Sequence, residues 1–366
     1  MTFTSETLHY KAYTSSYNAD PITLKDYTLK LHKQADGTYG AHPDKVLIKV
    51  HAVSLNPVDA KLHHIAHYPV KFLNAHQGTG RDYSGTVVSI GEKAKSHFGL
   101  SEGDKVQGFF IHPFGPGTLS EYIELNYKDK SDQSVGKVPK NISFTEAASW
   151  PLVFGTAYTA TGYSDLKDKK VLILGGNTSV GKYSIQLAHL YGAKEVVVTC
   201  SERSKPLVQK LGATSVIDYT KHKSLVNPLL GCVQESGFYD YIIDTVGGNE
   251  LFPHLQHILK SEGAHYATIV GDTDRVDLSW PVIKSGFSIA SRLICGYLGR
   301  SFYQYHLFLT AGGKDWVQKG VELIESEKIG IFIDSTYKFS EFHKAFEKLE
   351  SGKASGKIIV TVEDEE

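Results

Sequence analysis

Residues 175–181, with the sequence GGNTSVG, have the residue types and spacing of a phosphate-binding loop. A buried strand is predicted over 170–174 and a helix over 180–191. The unpaired N–H groups and the dipole at such a helix N-terminus attract an anion, and glycines let the backbone approach it closely. A second strand follows, so the complete unit favours a dinucleotide site over a glycine turn of another α/β protein. The candidate cofactor residues in this loop are Gly176, Asn177, Thr178, Ser179, Val180 and Gly181, with Thr178 at the middle glycine position.

The end of the second strand predicts which dinucleotide is bound. An acidic residue at this tip would hold the ribose 2′-hydroxyl of NAD, but here the strand ends Val-Thr-Cys-Ser at 198–201. Ser201 can donate a hydrogen bond to a 2′-phosphate, and Arg203 and Lys205 can supply positive charge. Glu202 argues against this assignment, and both cations have the alternative of solvated surface charge. The sequence therefore predicts NADPH rather than NADH.

Two further loops are expected at the same edge of the sheet. Val246 and Gly247 follow a predicted strand that ends at Asp244, and Ile269 and Val270 follow the next one. Ligands of open α/β sheets bind outside the carboxyl ends of the strands. We therefore expect these loops to border the cofactor, with the backbone of 269–271 holding the nicotinamide carboxamide.

The elements that position these residues follow from periodicity. Residues up to about 139 are β-rich, with strands expected over 45–53, 83–90 and 118–125. A helix is expected over 144–163, and strands and helices then alternate, which predicts a parallel sheet with helices on both faces. The apolar run 292–298 is expected to be one more strand. The last part predicts helices over 316–325 and 341–349 and strands over 331–337 and 357–362.

Composition narrows the function classes. The formal net charge is −1 and no long basic block is present, so nucleic-acid binding has no electrostatic basis. The three cysteines are far apart, which excludes a paired-cysteine metal or redox motif and suits a reducing compartment. The N-terminal residues lack the apolar segment of a signal peptide, and no run approaches the ~18 apolar residues of a membrane span. We expect a cytoplasmic protein, with a nuclear location also possible.

Several motifs along nearly the whole chain resemble those of the medium-chain dehydrogenase/reductase superfamily. They are NPVD at 56–59, GRDYSG at 80–85, EGDKV at 102–106, AASWPL at 147–152, the glycine loop, DTVGG at 244–248 and SGKIIV at 355–360. The chain resembles the zinc-independent quinone-oxidoreductase (zeta-crystallin-like) branch. The loop variation at Thr178 and the Trp150–Leu152 motif suggest the fungal Yim-like subgroup.

The resemblance implies a fold of two domains. A GroES-like β-barrel catalytic domain is expected from residues 1–144 and 306–366, and a Rossmann domain with a doubly wound parallel sheet from 145–305. The resemblance places the active site in the cleft. It also implies a homodimer joined through an edge strand of the Rossmann sheet, expected at 292–298, with a monomer as the alternative.

The resemblance also indicates whether the chain has the zinc sites of its relatives. Zinc-dependent relatives have a cysteine at the position of Asn56 and a histidine at that of Arg81, together with a four-cysteine lobe. This chain has no cysteine before Cys200, so neither zinc site can be built. His63, His64 and His67 are interpreted as loop residues rather than ligands, and Arg81 as a structural residue.

Without a Lewis acid, the substrate must accept hydride unaided, which favours quinones, α,β-unsaturated carbonyls and reactive aldehydes or ketones. By resemblance, Asn56 is the leading donor to the developing oxyanion; its alternative is a loop amide. Tyr68 is a candidate proton donor or a turn aromatic. Lys61, where related enzymes have a tyrosine, is a cationic donor or a surface residue. Asp59 is expected to orient the loop.

Three more cofactor residues are implied by resemblance alone. They are Thr156 beneath the nicotinamide, Tyr219 beside the adenine and the 2′-phosphate, and Lys357 near the domain junction, for which a structural salt bridge is the alternative. The sequence thus predicts an NADPH-dependent, zinc-independent reductase of a small apolar quinone or carbonyl compound. The competing hypothesis is a cofactor-binding or stress-related scaffold protein with little turnover.

Overall fold

The computed structural model describes residues 3–15, 21–65, 77–112, 117–273, 280–308, 313 and 315–363. The chain divides into two compact units. Unit 1 comprises Met1–Leu152 and Ala311–Glu366, and unit 2 comprises Val153–Thr310.

The first part of unit 1 consists mainly of strands, as its alternating apolar pattern predicts. Its elements are β1 (Thr7–Ser15), β2 (Thr23–Lys30), β3 (His32–Lys33), β4 (Tyr39–Gly40), β5 (Lys45–Leu55), α1 (Pro57–Ile65), β6 (Gln77–Gly78), β7 (Asp82–Ile90), α2 (Glu92–Phe98), β8 (Lys105–Phe109), β9 (Tyr122–Asn126), β10 (Val135–Lys137) and α3 (Phe144–Ala147). The sequence did not predict β1, β2, α1 or α2.

Unit 2 is a parallel sheet with helices between its strands. Its elements are α4 (Pro151–Thr161, which begins at the end of unit 1), β11 (Lys170–Leu174), α5 (Ser179–Leu190), β12 (Glu195–Cys200), α6 (Lys205–Lys210), β13 (Ser215–Asp218), α7 (Val226–Ser236), β14 (Tyr241–Asp244), β15 (Ala264–Thr268), α8 (Trp280–Tyr297) and β16 (Tyr303–Leu307). The strand order is β13-β12-β11-β14-β15-β16, and every pair is parallel. The order reverses between β11 and β14, which is where such sheets bind ligands.

The chain then returns to unit 1. Its last elements are α9 (Asp315–Glu325), β17 (Ile333–Lys338), α10 (Phe342–Glu350) and β18 (Lys357–Thr361). Strand β18 lies between β17 and β5 in the sheet ordered β10-β8-β7-β5-β18-β17. The register pairs Ile358 with Leu55, and Ser54 with Asp82 on β7. The start of β18, the end of β5 and the start of β7 therefore meet at one place.

The helix expected over 144–163 is two helices, so that prediction is wrong in its continuity. α3 begins after Ser143, whose side chain forms a capping box with Glu146. α4 begins at Pro151. Proline has no N–H to donate within a helix and fits its first turn, so the continuous helical spacing breaks there.

The strand expected over 292–298 is also wrong. These residues form the end of α8 and the turn after it, and the edge strand on this side of the sheet is β16. Arg292 hydrogen-bonds Ser288, one helical turn earlier, and pairs with Asp272. A short apolar run cannot by itself distinguish a helix from a strand.

Two histidines on neighbouring strands of unit 2 give the chain a predictable pH response. His265 Nδ1 lies 3.0 Å from His306 Nε2, and both rings are stacked between Tyr241 and Tyr163. Burial, with a smaller effect of His265, lowers the pKa of His306 to about 4 from 6.5. Burial and nearby Lys169 also lower the pKa of His265.

We therefore expect the chain to lose stability as the pH falls. The unfolded state binds protons below about 6.5, whereas the folded state resists them down to about 4, so stability from this pair declines between those values and levels off below. Thermal unfolding midpoints measured from about pH 7 to about pH 4.5 should fall more steeply for the unchanged chain than for His306→Phe. His222→Gln, at an exposed histidine, is the control. Equal slopes in all three proteins would contradict the role of this pair.

Candidate functional site

The predicted phosphate loop joins β11 to the N-terminus of α5. Thr178 is the N-cap of α5, and its hydroxyl accepts the Gly181 N–H at 2.9 Å. The same hydroxyl lies 2.9 Å from that of Thr245, which donates to the Leu174 carbonyl at 2.7 Å. Threonine at the middle glycine position thus caps the helix and ties the loop to the residue after β14. The amides of the first helical turn have no carbonyl partner within the helix and suit an anion.

The glycines of this loop lie where no side chain fits. A Cβ at Gly181 would lie 2.2 Å from the Gly175 carbonyl oxygen, and a Cβ at Gly176 would lie 2.0 Å from a methyl of Val198. Gly175 itself has a φ of 84°. The helix therefore approaches the loop backbone as closely as dinucleotide binding requires. The residues present fit the pyrophosphate of a dinucleotide.

Charged side chains surround the tip of β12. Glu202 lies 2.7 Å from Lys221 and 3.7 Å from Lys205, and Lys221 lies 3.5 Å from Asp218 at the end of β13. The hydrogen bond from Lys221 lowers the pKa of Glu202. The acid that argued against NADPH is therefore paired with cations. Sequence reasoning missed Lys221, although its place just after the third strand was a usable signal.

The remaining predicted residues of this tip are accessible. Arg203 is exposed, and Tyr219 is 53% exposed. Ser201 is half-buried, with its hydroxyl 3.4 Å from that of Ser204. The surface at the carboxyl ends of β12 and β13 thus presents a phenol ring and several cations.

The loops after β14 and β15 are neighbours, as their strands are. Val246 is 48% exposed, whereas Gly247, Ile269 and Val270 are half-buried. Thr156 lies on α4 of the same unit and is buried. Asp244, at the end of β14, is buried, and burial raises the pKa of its carboxyl although several hydrogen bonds oppose this.

In unit 1, Asn56 belongs to a buried polar cluster. Asp82 Oδ2 accepts hydrogen bonds from Asn56 Nδ2 at 2.8 Å, Ser54 Oγ at 2.8 Å and Lys357 Nζ at 3.1 Å. Lys357 Nζ also donates to Asn56 Oδ1. Lys357 is 4% exposed and Asp82 is 0% exposed. Lys357 thus forms the salt bridge that was its alternative role, and both amide atoms of Asn56 have partners inside unit 1.

Arg81 and Asp59 hold the loop next to this cluster. Arg81 is 1% exposed and donates to the carbonyls of Gly78 and Gly80 at 3.2 and 3.0 Å. Asp59 accepts the N–H groups of Asn56 and Gly80 at 2.8 and 3.0 Å. Burial raises the pKa of Asp59, although nearby Arg81 opposes this. The geometry is that of a structural pair that orients the loop.

Of the other two predicted catalytic residues, Lys61 and Tyr68, the structure describes only the first. Lys61 is half-buried on α1. Tyr68 and His67 lie outside the described residues, and so does the side chain of His64. The ring of His63 packs edge-on against Phe346 at 5.9 Å. His63 and the backbone of His64 belong to α1, so the interpretation of these two histidines as loop residues is wrong.

The structure brings together one group with metal-ligand chemistry that the sequence analysis did not single out. Within the described part of the chain, ligand atoms of His112, Asp129 and Asp132 lie within 4.8 Å of one another. His112 Nε2 lies 2.6 Å from Asp132 Oδ1, and Asp132 Oδ2 accepts the Asn126 N–H at 2.8 Å. These hydrogen bonds hold the side chains of His112 and Asp132 in place.

Comparisons with known proteins agree with this geometry. Residues 42–133 match the alcohol dehydrogenase GroES-like domain, and residues 211–360 match a zinc-binding dehydrogenase model. The chain is 34% identical to mouse "NAD(P)H oxidoreductase RTN4IP1, mitochondrial", covering 88% of this chain and 82% of the relative. It is 31% identical to "Protein YIM1" of Saccharomyces cerevisiae, covering 96% and 97%. A quinone oxidoreductase structure from Coxiella burnetii superposes with a TM-score of 0.74 at 26% identity, covering 97% and 100%.

The chain belongs to the medium-chain dehydrogenase/reductase superfamily, with a GroES-like domain and a Rossmann domain. Within it, the chain is a quinone-oxidoreductase-like, Yim-like protein. It is an NAD(P)H-dependent oxidoreductase. In the described residues, none of the helices combines the length and apolar character that crossing a membrane requires.

Proposed function

We propose that the chain is an NADPH-dependent, zinc-independent reductase of quinones, α,β-unsaturated carbonyls or reactive aldehydes and ketones. The observation that carries this proposal is the Asn56–Asp82–Lys357 cluster. Asp82 Oδ2 and Asn56 Oδ1, which could otherwise be metal ligands, both accept hydrogen bonds from the Lys357 ammonium group. A buried carboxylate already paired with a buried ammonium has its charge compensated, which leaves little for a second cation to gain.

Bound NADPH would supply the hydride. The chain's own residues would bind the dinucleotide at the α5 N-terminus and steady negative charge on the substrate. Since Asn56 is engaged by Asp82 and Lys357, we assign the donor roles to Lys61 and Tyr68 ahead of Asn56. A conjugated acceptor spreads the developing charge and needs fewer such donors. This is the reason for preferring quinones and enones as the substrate class.

The proposed activity is tested with a panel of substrates, and each reaction is monitored by the decrease in NADPH absorbance. A quinone, an enal, an aromatic aldehyde and a simple aliphatic ketone should be compared under the same conditions. We expect the first three to be reduced faster than the ketone. Metal analysis and a chelator treatment complete the test, because activity that depends on stoichiometric zinc would contradict the proposal.

The paired state of Glu202 supports the choice of NADPH over NADH. With Lys221 and Lys205 beside it, this carboxylate repels a 2′-phosphate less than an isolated acid would. We predict that Arg203→Ala and Lys221→Ala each weaken NADPH binding about tenfold and leave NADH binding nearly unchanged. Isothermal titration with both dinucleotides measures this, with exposed Lys223→Ala as the control. Unchanged NADPH binding in both variants would refute the 2′-phosphate assignment.

One observation favours a second candidate function, a cofactor-binding or scaffold protein with little turnover. Both amide atoms of Asn56, which the sequence predicts as the first donor to the oxyanion, have partners within unit 1. Tight NADPH binding without reduction of any compound in the panel would favour this candidate over the reductase.

We also propose a cytoplasmic homodimer, joined through the edge strand β16 together with the exposed apolar side chains of α8 and the turn after it. β16 ends the parallel sheet, and unpaired strand edges readily pair with a second chain. Beside it, α8 and the turn after it expose Phe287, Ile294, Tyr297 and Leu298, which are 71%, 56%, 92% and 52% exposed. Light scattering of Ile294→Glu should give a monomer if the unchanged chain is a dimer.

The proposed cytoplasmic location is tested by imaging of a tagged chain, since the mouse relative is named mitochondrial.

A further inference from the structure

The buried carboxylate of Asp244 connects two loops of unit 2. Asp244 is 1% exposed and is the last residue of β14. Its Oδ1 accepts the N–H groups of Val246 and Gly247 at 3.0 and 2.8 Å, so it holds the loop that follows its own strand.

The second oxygen of the same carboxylate reaches the neighbouring strand β15. Asp244 Oδ2 accepts hydrogen bonds from the Tyr266 hydroxyl at 3.0 Å and from the Thr268 hydroxyl at 3.2 Å. Thr268 Oγ1 in turn accepts the N–H groups of Val270 and Gly271 at 3.2 and 3.1 Å. The Thr268 hydroxyl therefore connects the Asp244 carboxylate on β14 to the loop after β15 by hydrogen bonds.

The two loops also contact each other directly. The Gly248 N–H donates to the Gly271 carbonyl at 2.9 Å. A Cβ at Gly247, whose φ is 79°, would lie 2.6 Å from a methyl of Val270 and 2.8 Å from the Gly271 carbonyl oxygen. The loops therefore have little freedom to move separately. Charge-assisted hydrogen bonds of this kind are among the strongest in proteins when buried.

We propose that Asp244 and Thr268 are positioning residues, which together set the backbone shape of the two loops that receive the nicotinamide half of the cofactor. This proposal rests on the proposed role of residues 246–247 and 269–271 in holding that half. Neither side chain needs to touch the cofactor. They act by accepting hydrogen bonds from selected backbone N–H groups of the two loops. The loops then hold one conformation before the cofactor binds, which lowers the entropic cost of binding.

The test uses a nearly isosteric change. Thr268→Val keeps the shape of the side chain but removes the hydroxyl, whereas Thr268→Ser keeps the hydroxyl. We expect Thr268→Val to weaken NADPH binding at least about fivefold and Thr268→Ser to stay near the unchanged chain. Tyr266→Phe removes one donor only and should show a smaller effect. Thr214→Val is the matched control, because the Thr214 hydroxyl also bridges backbone atoms, at 2.9 and 3.1 Å from Val196 N and O, at the opposite end of β12.

A second ligand shows which half of the cofactor site the Thr268→Val change affects. The compound 2′,5′-ADP contains the adenine half of NADPH and lacks the nicotinamide. Weaker binding of NADPH with unchanged binding of 2′,5′-ADP in Thr268→Val supports the proposal. Equal loss for both ligands, or no loss for either, overturns it. Since binding is the readout, a chain that reduces no substrate would refute the proposed reductase without affecting this result.

Discussion

Replacing Lys357 by methionine is expected to lower the free energy of unfolding by about 3–5 kcal/mol, because removing one partner of a buried ion pair strands the other charge. The stranded group would be the Asp82 carboxylate, which is 0% exposed. Its bonds from Ser54, Asn56 and the Leu152 N–H at 2.6 Å would remain, but they carry no full positive charge. Urea unfolding followed by circular dichroism measures the change, which should appear in the transition of unit 1.

Two further variants make the interpretation of that result specific. Lys344 pairs with Glu341 at 2.8 Å on the surface, where both side chains are well exposed. Lys344→Met should therefore change stability by no more than about 1 kcal/mol. The double variant Lys357→Met, Asp82→Asn removes the stranded charge and should be more stable than Lys357→Met alone. A loss for Lys357→Met as small as that of the surface control would show that the ion pair does not hold the cluster together.

Replacing Gly181 by alanine is expected to weaken binding of the nicotinamide dinucleotide about ten- to hundredfold. The added Cβ would lie 2.2 Å from the Gly175 carbonyl oxygen and 3.0 Å from the Gly176 Cα. Both neighbours are backbone atoms, so the start of α5 must move away from the loop. The first-turn amides would then no longer converge on the pyrophosphate. Titration of intrinsic fluorescence with NADPH and NADH measures the affinity for each dinucleotide.

Gly231→Ala is the matched control for this change. Gly231 lies within α7, where a Cβ would meet nothing within 4 Å. Alanine is favoured over glycine inside a helix by about 1 kcal/mol, so this variant should bind the dinucleotide normally and be slightly more stable. If Gly181→Ala also bound normally, the loop at 175–181 would not be the pyrophosphate site.

Thr178 occupies the middle glycine position of the loop, and its side chain has a defined role in the structure. In the structure, the hydroxyl caps α5 and contacts Thr245. A residue that departs from the glycine pattern therefore adds internal order to the loop.

Some elements of unit 2 differ from those that the sequence predicts, for identifiable physical reasons. The run at 292–298 is apolar enough for a strand, but it continues a longer amphipathic pattern back to Trp280 and is helical. Residues Phe252–His257 form a 3₁₀ segment rather than an α-helix, with a proline near its start. Helix α7 was not predicted, because Pro228 and Gly231 weaken its helical signal.

The sequence by itself determined the features that depend on neighbours along the chain. The strand–loop–helix unit at 170–191 follows from apolar runs, glycines and a capping residue that lie close together, and these act through local backbone geometry. Tertiary structure alone decided which distant residues meet. Lys357 and Asn56 are separated by 301 positions, and they touch because β18 pairs with β5 in one register and β5 with β7 in another. Strand register depends on the packing of whole sheets, so no local pattern could have shown that Lys357 occupies the place between Asn56 and Asp82.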